Sequence, residues 1–114
     1  MTKFTEMIRD LFEETEQKQL ATFDESITNP DNVVIYEQIQ YGAEKQWNTL
    51  DIYRPKDRAG ECLPILINVH GGAWMQSSKE RYQYYCWKLM QKGFAVVNIN
   101  YRLVPYAYFP APVE

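Results

Sequence analysis

The chain has 114 residues, 46% of them hydrophobic and 24% charged, a composition typical of one soluble globular domain with a modest core. Its 12 basic and 15 acidic residues give a net charge of -3 and are spread along the sequence, so no basic stripe is available for binding nucleic acid. No apolar run approaches the roughly 20 residues that span a bilayer, and no signal peptide is recognisable, so we expect a cytoplasmic protein without a membrane span.

The first predicted element is an amphipathic helix over residues 3–20. Its apolar residues recur at helical spacing, with acidic and basic residues between them: Phe4, Met7, Ile8, Leu11 and Phe12. We expect the helix to pack on its own domain, and a membrane-surface or partner helix is the alternative interpretation. The helix belongs to an N-terminal helical segment, residues 1–24, which is followed by a turn-rich break at 26–32.

Two stretches rich in β-branched and aromatic residues predict an antiparallel hairpin. They are residues 33–42 and 46–55, separated by the short segment AEK, and Pro55 ends the second strand. A charged loop with one glycine, residues 56–61, follows the hairpin.

The next three elements predict a parallel strand–helix–strand unit. Residues 63–69, LPILINV, are apolar almost throughout, as in a strand that is covered on both faces. Ser77 and Glu80 have the spacing of a capping box, so we expect a helix of about four turns that ends at Gly93. A second apolar run at 94–101 completes the crossover unit.

The loop after the first of these strands carries the strongest functional signal. Ligands bind at the carboxyl ends of parallel strands, and glycines there let the backbone approach a bound atom. Residues 70–74, HGGAW, occupy that position, so their N–H groups can form one wall of an oxyanion hole. The phosphate-binding motif G-x-x-x-x-G-K-[ST] and the dinucleotide-binding motif G-x-G-x-x-G are both absent from the sequence.

Cysteine and histidine content argues against a metal site. Cys62 and Cys86 lie far apart and match neither a C-x-x-C redox pair nor a zinc-ligand spacing. His70 is the single histidine, which leaves no conventional Cys/His site. We therefore expect two free thiols and no conventional Cys/His metal site.

Four motifs occur in one order within residues 33–114: LDIYRP, NVHGGAW, GFAVVNINYRLVP and FPAPVE. Each motif is weak alone, but together they resemble the N-terminal part of α/β-hydrolase esterases and lipases with an HGG-type oxyanion loop. This group is related to hormone-sensitive lipase, arylformamidases and feruloyl-type carboxylesterases. The resemblance implies an α/β fold class, namely an incomplete α/β-hydrolase fold made of an N-terminal helix, a β-hairpin and a parallel β-α-β unit. Residues 1–114 would then be a single partial domain, with the start of the hydrolase sheet at 33–114.

The resemblance also implies a role for each residue of the loop. It makes the backbone N–H groups of Gly72 and Ala73 the oxyanion-hole donors, with Gly71 allowing the turn. His70 is expected to hold the loop through hydrogen bonds and not to act as the base, because a base needs a nucleophile within about 3 Å. Trp74 is expected to pack beneath the acyl site. Many relatives have a third glycine where this chain has Ala73, and HGGAW is a variant that keeps the backbone donor.

The catalytic triad of this family has no match in the sequence. The motif G-x-S-x-G is absent, the only serines are Ser26, Ser77 and Ser78, and no histidine follows His70. We expect Ser77 and Ser78 to cap the following helix and Arg102 to make structural ion pairs. Nucleophile, acid and base are therefore expected to come from outside this chain, which alone would be inactive.

Two functions remain open. The chain is either the N-terminal portion of a serine carboxylic ester hydrolase that acts on a small-molecule acyl ester, or a non-catalytic binding or assembly module derived from one. In both cases the complete fold would place a fifth strand beside residues 63–69. Without it we expect an unpaired apolar edge and an oligomeric or poorly soluble chain. Short-chain acyl esters, acetylated or feruloylated sugars and N-formyl aromatics all remain open as substrates. For none of them does the resemblance imply a metal or an organic cofactor.

Overall fold

The computed structural model describes residues 2–21 and 31–114. In chain order its helices and strands are α1 (Lys3–Ala21), β1 (Val33–Gln40), β2 (Thr49–Pro55), β3 (Ile65–Val69), α2 (Gln83–Gln91) and β4 (Ala95–Ile99), with short 3-10 turns at Lys56–Arg58 and Ala111–Val113. The predicted order of helix, hairpin and strand–helix–strand unit is confirmed, and so is the α/β fold class. Residues 22–24 of the predicted N-terminal segment and most of the predicted turn-rich break lie outside the described residues.

The four strands form one mixed sheet in the order β1-β2-β4-β3. Strand β1 pairs with β2 and β2 pairs with β4 in antiparallel fashion, whereas β3 and β4 are parallel. The parallel register runs in step from the pair Ile65 and Ala95 to the pair Val69 and Ile99. Because β3 and β4 point the same way, the loops that follow them meet at one end of the sheet.

Helix α2 covers one face of the sheet and closes the core there. Its inward side chains are Cys86, Trp87 and Met90, which pack against Tyr53 of β2 and Val96 of β4. The helical spacing of the three residues places them on one face of the helix. The rings of Tyr53 and Trp87 meet edge to face with their centroids 6.1 Å apart, a favoured geometry for aromatic pairs.

The opposite face of β3 is exposed, which corrects the prediction of a strand covered on both faces. The side chains of Ile65, Ile67 and Val69 are 67%, 64% and 61% exposed, while Leu66 and Asn68 between them are half-buried. An apolar run shows that a strand can be buried, but burial also needs an element to cover it. Among the described residues, no helix covers these three side chains.

The apolar stripe of helix α1 is largely exposed, whereas the sequence predicted that it packs on its own domain. Phe4, Met7 and Leu11 are each more than half exposed. The side chain of Phe12 is half-buried. The helical spacing therefore predicted the helix itself correctly, but the predicted packing of these three side chains was wrong.

Helix α2 begins later than the sequence predicted. It starts at Gln83 with Tyr82 as the N-cap, and no side chain makes a capping hydrogen bond, so the predicted capping box of Ser77 and Glu80 is wrong. Ser77 lies in the left-handed region at φ 81°, which is incompatible with leading directly into a helix. The helix end was predicted correctly, since Gly93 follows it at φ 100° and donates its N–H to a helix carbonyl.

Candidate functional site

The loop after β3 lies at the end of the sheet where β3 and β4 both terminate. We call residues 70–74 the HGGAW loop. All five residues line one wall of a cavity of about 500 Å³, which also contacts polar side chains from elsewhere in the chain: Tyr41, Tyr101 and Glu114. The structure therefore brings every residue of the predicted site to one place.

A second cavity, of about 450 Å³, also borders this loop. It is lined almost entirely by apolar groups: Ala73, Trp74, Met75, Val104, Phe109, Pro112 and Val113. Ala73 and Trp74 border both cavities, so a molecule bound at the loop can extend a polar group to one side and an apolar group to the other.

The backbone of the loop has an unusual conformation. Gly72, Ala73 and Trp74 have φ angles of 126°, 55° and 59°, and left-handed values are uncommon for residues with a side chain. A Cβ at Gly72 would lie 2.2 Å from the carbonyl oxygen of Gln76, so only glycine fits there. Within the described residues, neither the N–H of Gly72 nor that of Ala73 is donated to another protein group. Such strained conformations cluster at functional sites.

His70 is a buried residue at the start of the loop. It is 3% exposed, and its ring stacks on the ring of Tyr101 with centroids 4.4 Å apart. The hydroxyl of Tyr101 donates to the carbonyl oxygen of His70 at 2.6 Å, and His70 Nδ1 lies 2.8 Å from the carbonyl oxygen of Gly71. These contacts tie the start of the loop to the segment that follows β4.

The side chain of Trp74 is 61% exposed and borders both cavities. Its position beneath the acyl site stays a prediction. Its backbone is fixed, because its carbonyl oxygen accepts the N–H of Val104 at 2.8 Å. The ring is thus placed where it can contact a bound molecule.

A buried ion pair that the sequence did not predict lies at residue 79, in the segment that leads from the HGGAW loop to α2. We call residues 70–79 the extended loop. Lys79 is 1% exposed, and its Nζ donates to both carboxylate oxygens of Asp51 at 2.9 Å. The same ammonium lies 2.8 Å from Oε1 of Glu80. Asp51 also accepts the N–H of Gln38 at 2.9 Å and the hydroxyl of Tyr53 at 3.1 Å. Buried charges are tolerated when they are paired and hydrogen-bonded in this way.

The electrostatics of this pair keep Lys79 charged. Burial alone lowers the pKa of its ammonium, but hydrogen bonds to Glu80 and Asp51 outweigh burial and raise that pKa above its ordinary value. One signal in the sequence pointed to the pair. Asp51 alternates with Thr49 and Tyr53 on the inward side of β2, and a carboxylate on a core-facing side needs a cation.

The remaining predicted features are simple to place. Arg102 forms ion pairs with Glu44 at 3.4 Å and Glu114 at 3.7 Å, which confirms its structural role. Cys62 is exposed and Cys86 is buried, and both thiols are free, as predicted. In residues 2–21 and 31–114, no three His, Cys, Asp or Glu side chains cluster as metal ligands would. No helix in the same two ranges is long and apolar enough to cross a membrane.

Comparison with known proteins places these features in a family. A BD-FAE family model matches residues 50–114. The esterase LipQ of Mycobacterium tuberculosis is 38% identical over 66% of this chain, and the kynurenine formamidase of Danio rerio is 34% identical over 59% of it. The versiconal hemiacetal acetate esterase of Dothistroma septosporum is 38% identical over 55%. The chain spans only 18%, 22% and 19% of the length of these three relatives, respectively.

Solved structures of esterases share the fold. Esterase B of Lactobacillus rhamnosis, in complex with a phosphonate inhibitor, superposes on 96% of this chain with a TM-score of 0.76, at 24% identity and over 34% of its own length. The esterase of Pyrobaculum calidifontis superposes on 96% of the chain with a TM-score of 0.64, at 29% identity and over 34% of its length. The predicted relation to α/β-hydrolase esterases is thereby confirmed, and the chain belongs to the BD-FAE family.

Proposed function

We propose that this chain supplies the oxyanion-hole loop of a serine carboxylic ester hydrolase. The N–H groups of Gly72 and Ala73 would donate to the negatively charged oxygen of the tetrahedral intermediate. The observation that supports this role is the backbone of the HGGAW loop, whose two N–H groups are unused within the described residues and border a cavity. Donors held in place before the reaction stabilise developing charge without reorganisation, and losing one costs roughly 2.7–4 kcal/mol.

The two cavities beside the loop suggest the class of substrate. The reacting acyl group would lie at Gly72 and Ala73, and an apolar part of the molecule would fill the second cavity against Trp74 and Phe109. The relatives include an acetate esterase and a formamidase, whose names describe small acyl groups. A small-molecule ester with one apolar substituent is therefore the substrate class that we propose.

The remaining catalytic groups would have to come from other residues. The 114 residues contain no G-x-S-x-G motif and no histidine after His70. Without its triad, such an enzyme keeps only a small fraction of its activity, roughly 10³–10⁴-fold over water from the oxyanion hole and substrate binding. We therefore expect the chain alone to be inactive and the loop to work only beside a serine, an acid and a base supplied in addition.

A chimeric enzyme tests the proposal. Residues 1–114 would replace the matching third of the Pyrobaculum calidifontis esterase, and hydrolysis of a short-chain p-nitrophenyl ester would be measured. In the active chimera, Ala73 would be replaced by lactic acid, which exchanges its N–H for an ester oxygen and keeps the methyl group. We expect kcat to fall roughly 10²–10³-fold.

The control is the same replacement at Ala43, an exposed residue whose N–H makes no hydrogen bond within the described residues. It should leave kcat unchanged. An unchanged kcat for the variant at Ala73 would refute the oxyanion role. A folded but inactive chimera would favour the alternative, a non-catalytic binding or assembly module.

We also propose that the chain self-associates through the exposed edge of β3. In residues 2–21 and 31–114, strand β3 has a paired neighbour on one side only, β4, and its outward residues are apolar. Exposed apolar edge strands pair readily with other strands.

A further inference from the structure

We propose that Lys79 is a positioning residue: its ion pair with Asp51 holds the HGGAW loop in the conformation that presents the N–H groups of Gly72 and Ala73. The inference rests on the proposed function, because those N–H groups matter to catalysis only if the loop binds an oxyanion. Lys79 lines neither of the two cavities beside the loop, so its effect would be indirect.

Residue 79 is anchored to two strands at once. Its side chain binds Asp51 on β2, its N–H donates to Oδ1 of Asn100 at 2.7 Å, and its carbonyl oxygen accepts from Nδ2 of Asn98 at 2.6 Å. Oδ1 of Asn98 also accepts from Nδ2 of Asn68 on β3 at 2.9 Å. The end of the extended loop, residue 79, is therefore fixed to β2 and β4. Through Asn68 it is also connected to β3, the strand that precedes this loop.

The middle of the extended loop, residues 72–76, depends on the residues around it for its position. Between Trp74 and Lys79 the backbone hydrogen bonds are internal, since the N–H groups of Met75 and Gln76 both donate to the carbonyl oxygen of Gly72 at 3.1 Å. These bonds close a small ring of backbone but do not attach it to the sheet. The contacts at His70, Trp74 and residue 79 must therefore place the ring.

The segment is held in a conformation that it would not adopt alone. Ala73, Trp74 and Ser77 all have positive φ angles, and Oγ of Ser77 is buried without a hydrogen-bond partner among the described residues. Strain of this kind persists only where the surrounding structure over-determines it. Lys79 has two ionic contacts, and the one with Asp51 is buried on both sides, whereas the side chain of Glu80 is 54% exposed. Burial shields the pair with Asp51 from water and salt.

Nuclear magnetic resonance of the 114-residue chain tests the inference. The intraresidue HN–Hα Overhauser effect is strong at positive φ, so Ala73 and Trp74 report the loop conformation directly. The first variant is Lys79→Met, which keeps side-chain length but removes the charge. The second is the neutral pair Asp51→Asn/Lys79→Met, in which the new amide oxygen can accept from the N–H of Gln38 while the new amide nitrogen can donate to the hydroxyl oxygen of Tyr53.

The matched control is Lys88→Met, a substitution of the same kind at an exposed position of α2. We expect the neutral pair to retain the dispersed amide signals of β2 and β4 but to lose the positive-φ signal at Ala73 and Trp74. The control should keep both. Lys79→Met leaves a buried carboxylate unpaired and can fail to fold, so the neutral pair decides.

Two results would overturn the inference. One is a neutral pair whose loop signal is unchanged while the sheet is intact. The other is global unfolding of the neutral pair, because the contact would then stabilise the whole domain and not this loop in particular.

The chimeric esterase separates this inference from the proposed function. There the neutral pair should lower kcat roughly 10²-fold or more with KM nearly unchanged, because transition-state donors are lost and substrate binding is not. If the loop signal is lost but kcat is unchanged, Lys79 positions the loop and the oxyanion role fails. If the loop signal is unchanged but the lactic acid replacement at Ala73 lowers kcat, the oxyanion role stands and the positioning role fails.

Discussion

At the residue scale, the conformation of the HGGAW loop requires glycine at position 72. Its φ of 126° is unfavourable for any residue with a side chain, and a Cβ would collide with the carbonyl oxygen of Gln76 at 2.2 Å. We expect Gly72→Ala to lower the free energy of unfolding by about 2 kcal/mol or more, as measured by denaturant titration. The control is Gly60→Ala, at φ 87° with nothing within 4 Å of the new Cβ, which should cost about 1 kcal/mol. Equal losses for the two variants would contradict the collision.

Cys86 gives the molecule a dependence on alkaline pH. Burial raises the pKa of its thiol from 9.0 to about 12, with a smaller contribution from the charge of Asp51. A pKa that is raised in the folded state stabilises the fold below the unfolded pKa, and this stabilisation is lost as pH rises through the folded pKa. We therefore expect the free energy of unfolding to fall between about pH 9 and pH 12, by at most about 1.4 kcal/mol per pH unit for this group.

The variant Cys86→Ala isolates the thiol from other groups. The pKa values of Tyr53 and Tyr101 are also raised by burial and act in the same direction. Denaturant titrations of both proteins from pH 8 upwards should therefore both slope downwards, with the steeper slope in the wild type. Parallel curves would show that Cys86 ionises as easily in the folded chain as in the unfolded one.

At the scale of elements, the two helices are predicted to differ in their contribution to stability. Met90 of α2 is fully buried against the sheet, whereas Met7 of α1 is 58% exposed. We expect Met90→Ala to cost about 2–5 kcal/mol, the range for a large core side chain. Met7→Ala should change stability by less than about 0.5 kcal/mol. A comparable loss for Met7→Ala in denaturant titration would mean that α1 packs against something in solution.

Elements with a local pattern could be predicted from the sequence. The period of apolar residues in α1, the β-branched stretches of β1 and β2, and the glycine at the end of α2 are all properties of neighbouring residues. The start of α2 could not be predicted in this way. Ser77 and Glu80 have the local spacing of a cap, but Lys79 between them is bound to Asp51, 28 residues earlier, and the chain is held out of the helix there. A distant contact overrode the local preference.

The candidate site also has features that the local sequence predicts and features that depend on distant contacts. Its location followed from the rule that ligands bind at the carboxyl ends of parallel strands, and the structure places residues 70–74 at that end. That rule predicted neither the exposure of the Trp74 side chain nor the ion pair between Lys79 and Asp51. Both depend on which side chains meet across the sheet, and a single sequence does not contain that information except as weak hints such as the inward position of Asp51.

At the scale of the whole molecule, the sheet formed by the described residues has edges at β1 and β3, which differ in their protection against pairing with another chain. At the β1 edge the register shifts between Tyr36 and Ile39, Gln38 has a φ of 55°, and Glu37 adds a charge. Bulges and charges of this kind discourage pairing with a second chain. The β3 edge has no bulge and no charged side chain within Ile65–Val69. Association of two copies is therefore expected at β3 and not at β1.

Light scattering coupled to size exclusion tests this expectation. The wild type should elute as species heavier than the 13.5 kDa monomer, in amounts that grow with concentration. Ile67→Lys, at a side chain that is 64% exposed in the middle of β3, should shift the population to monomer, because a charge on an edge strand discourages pairing and two copies paired about the middle of β3 would bring the two lysines together. Ile39→Lys places the same substitution on β1 and should leave the mass distribution as in the wild type. A wild type that stays monomeric at every concentration, or an Ile67→Lys variant that associates as strongly as the wild type, would exclude β3 as the contact.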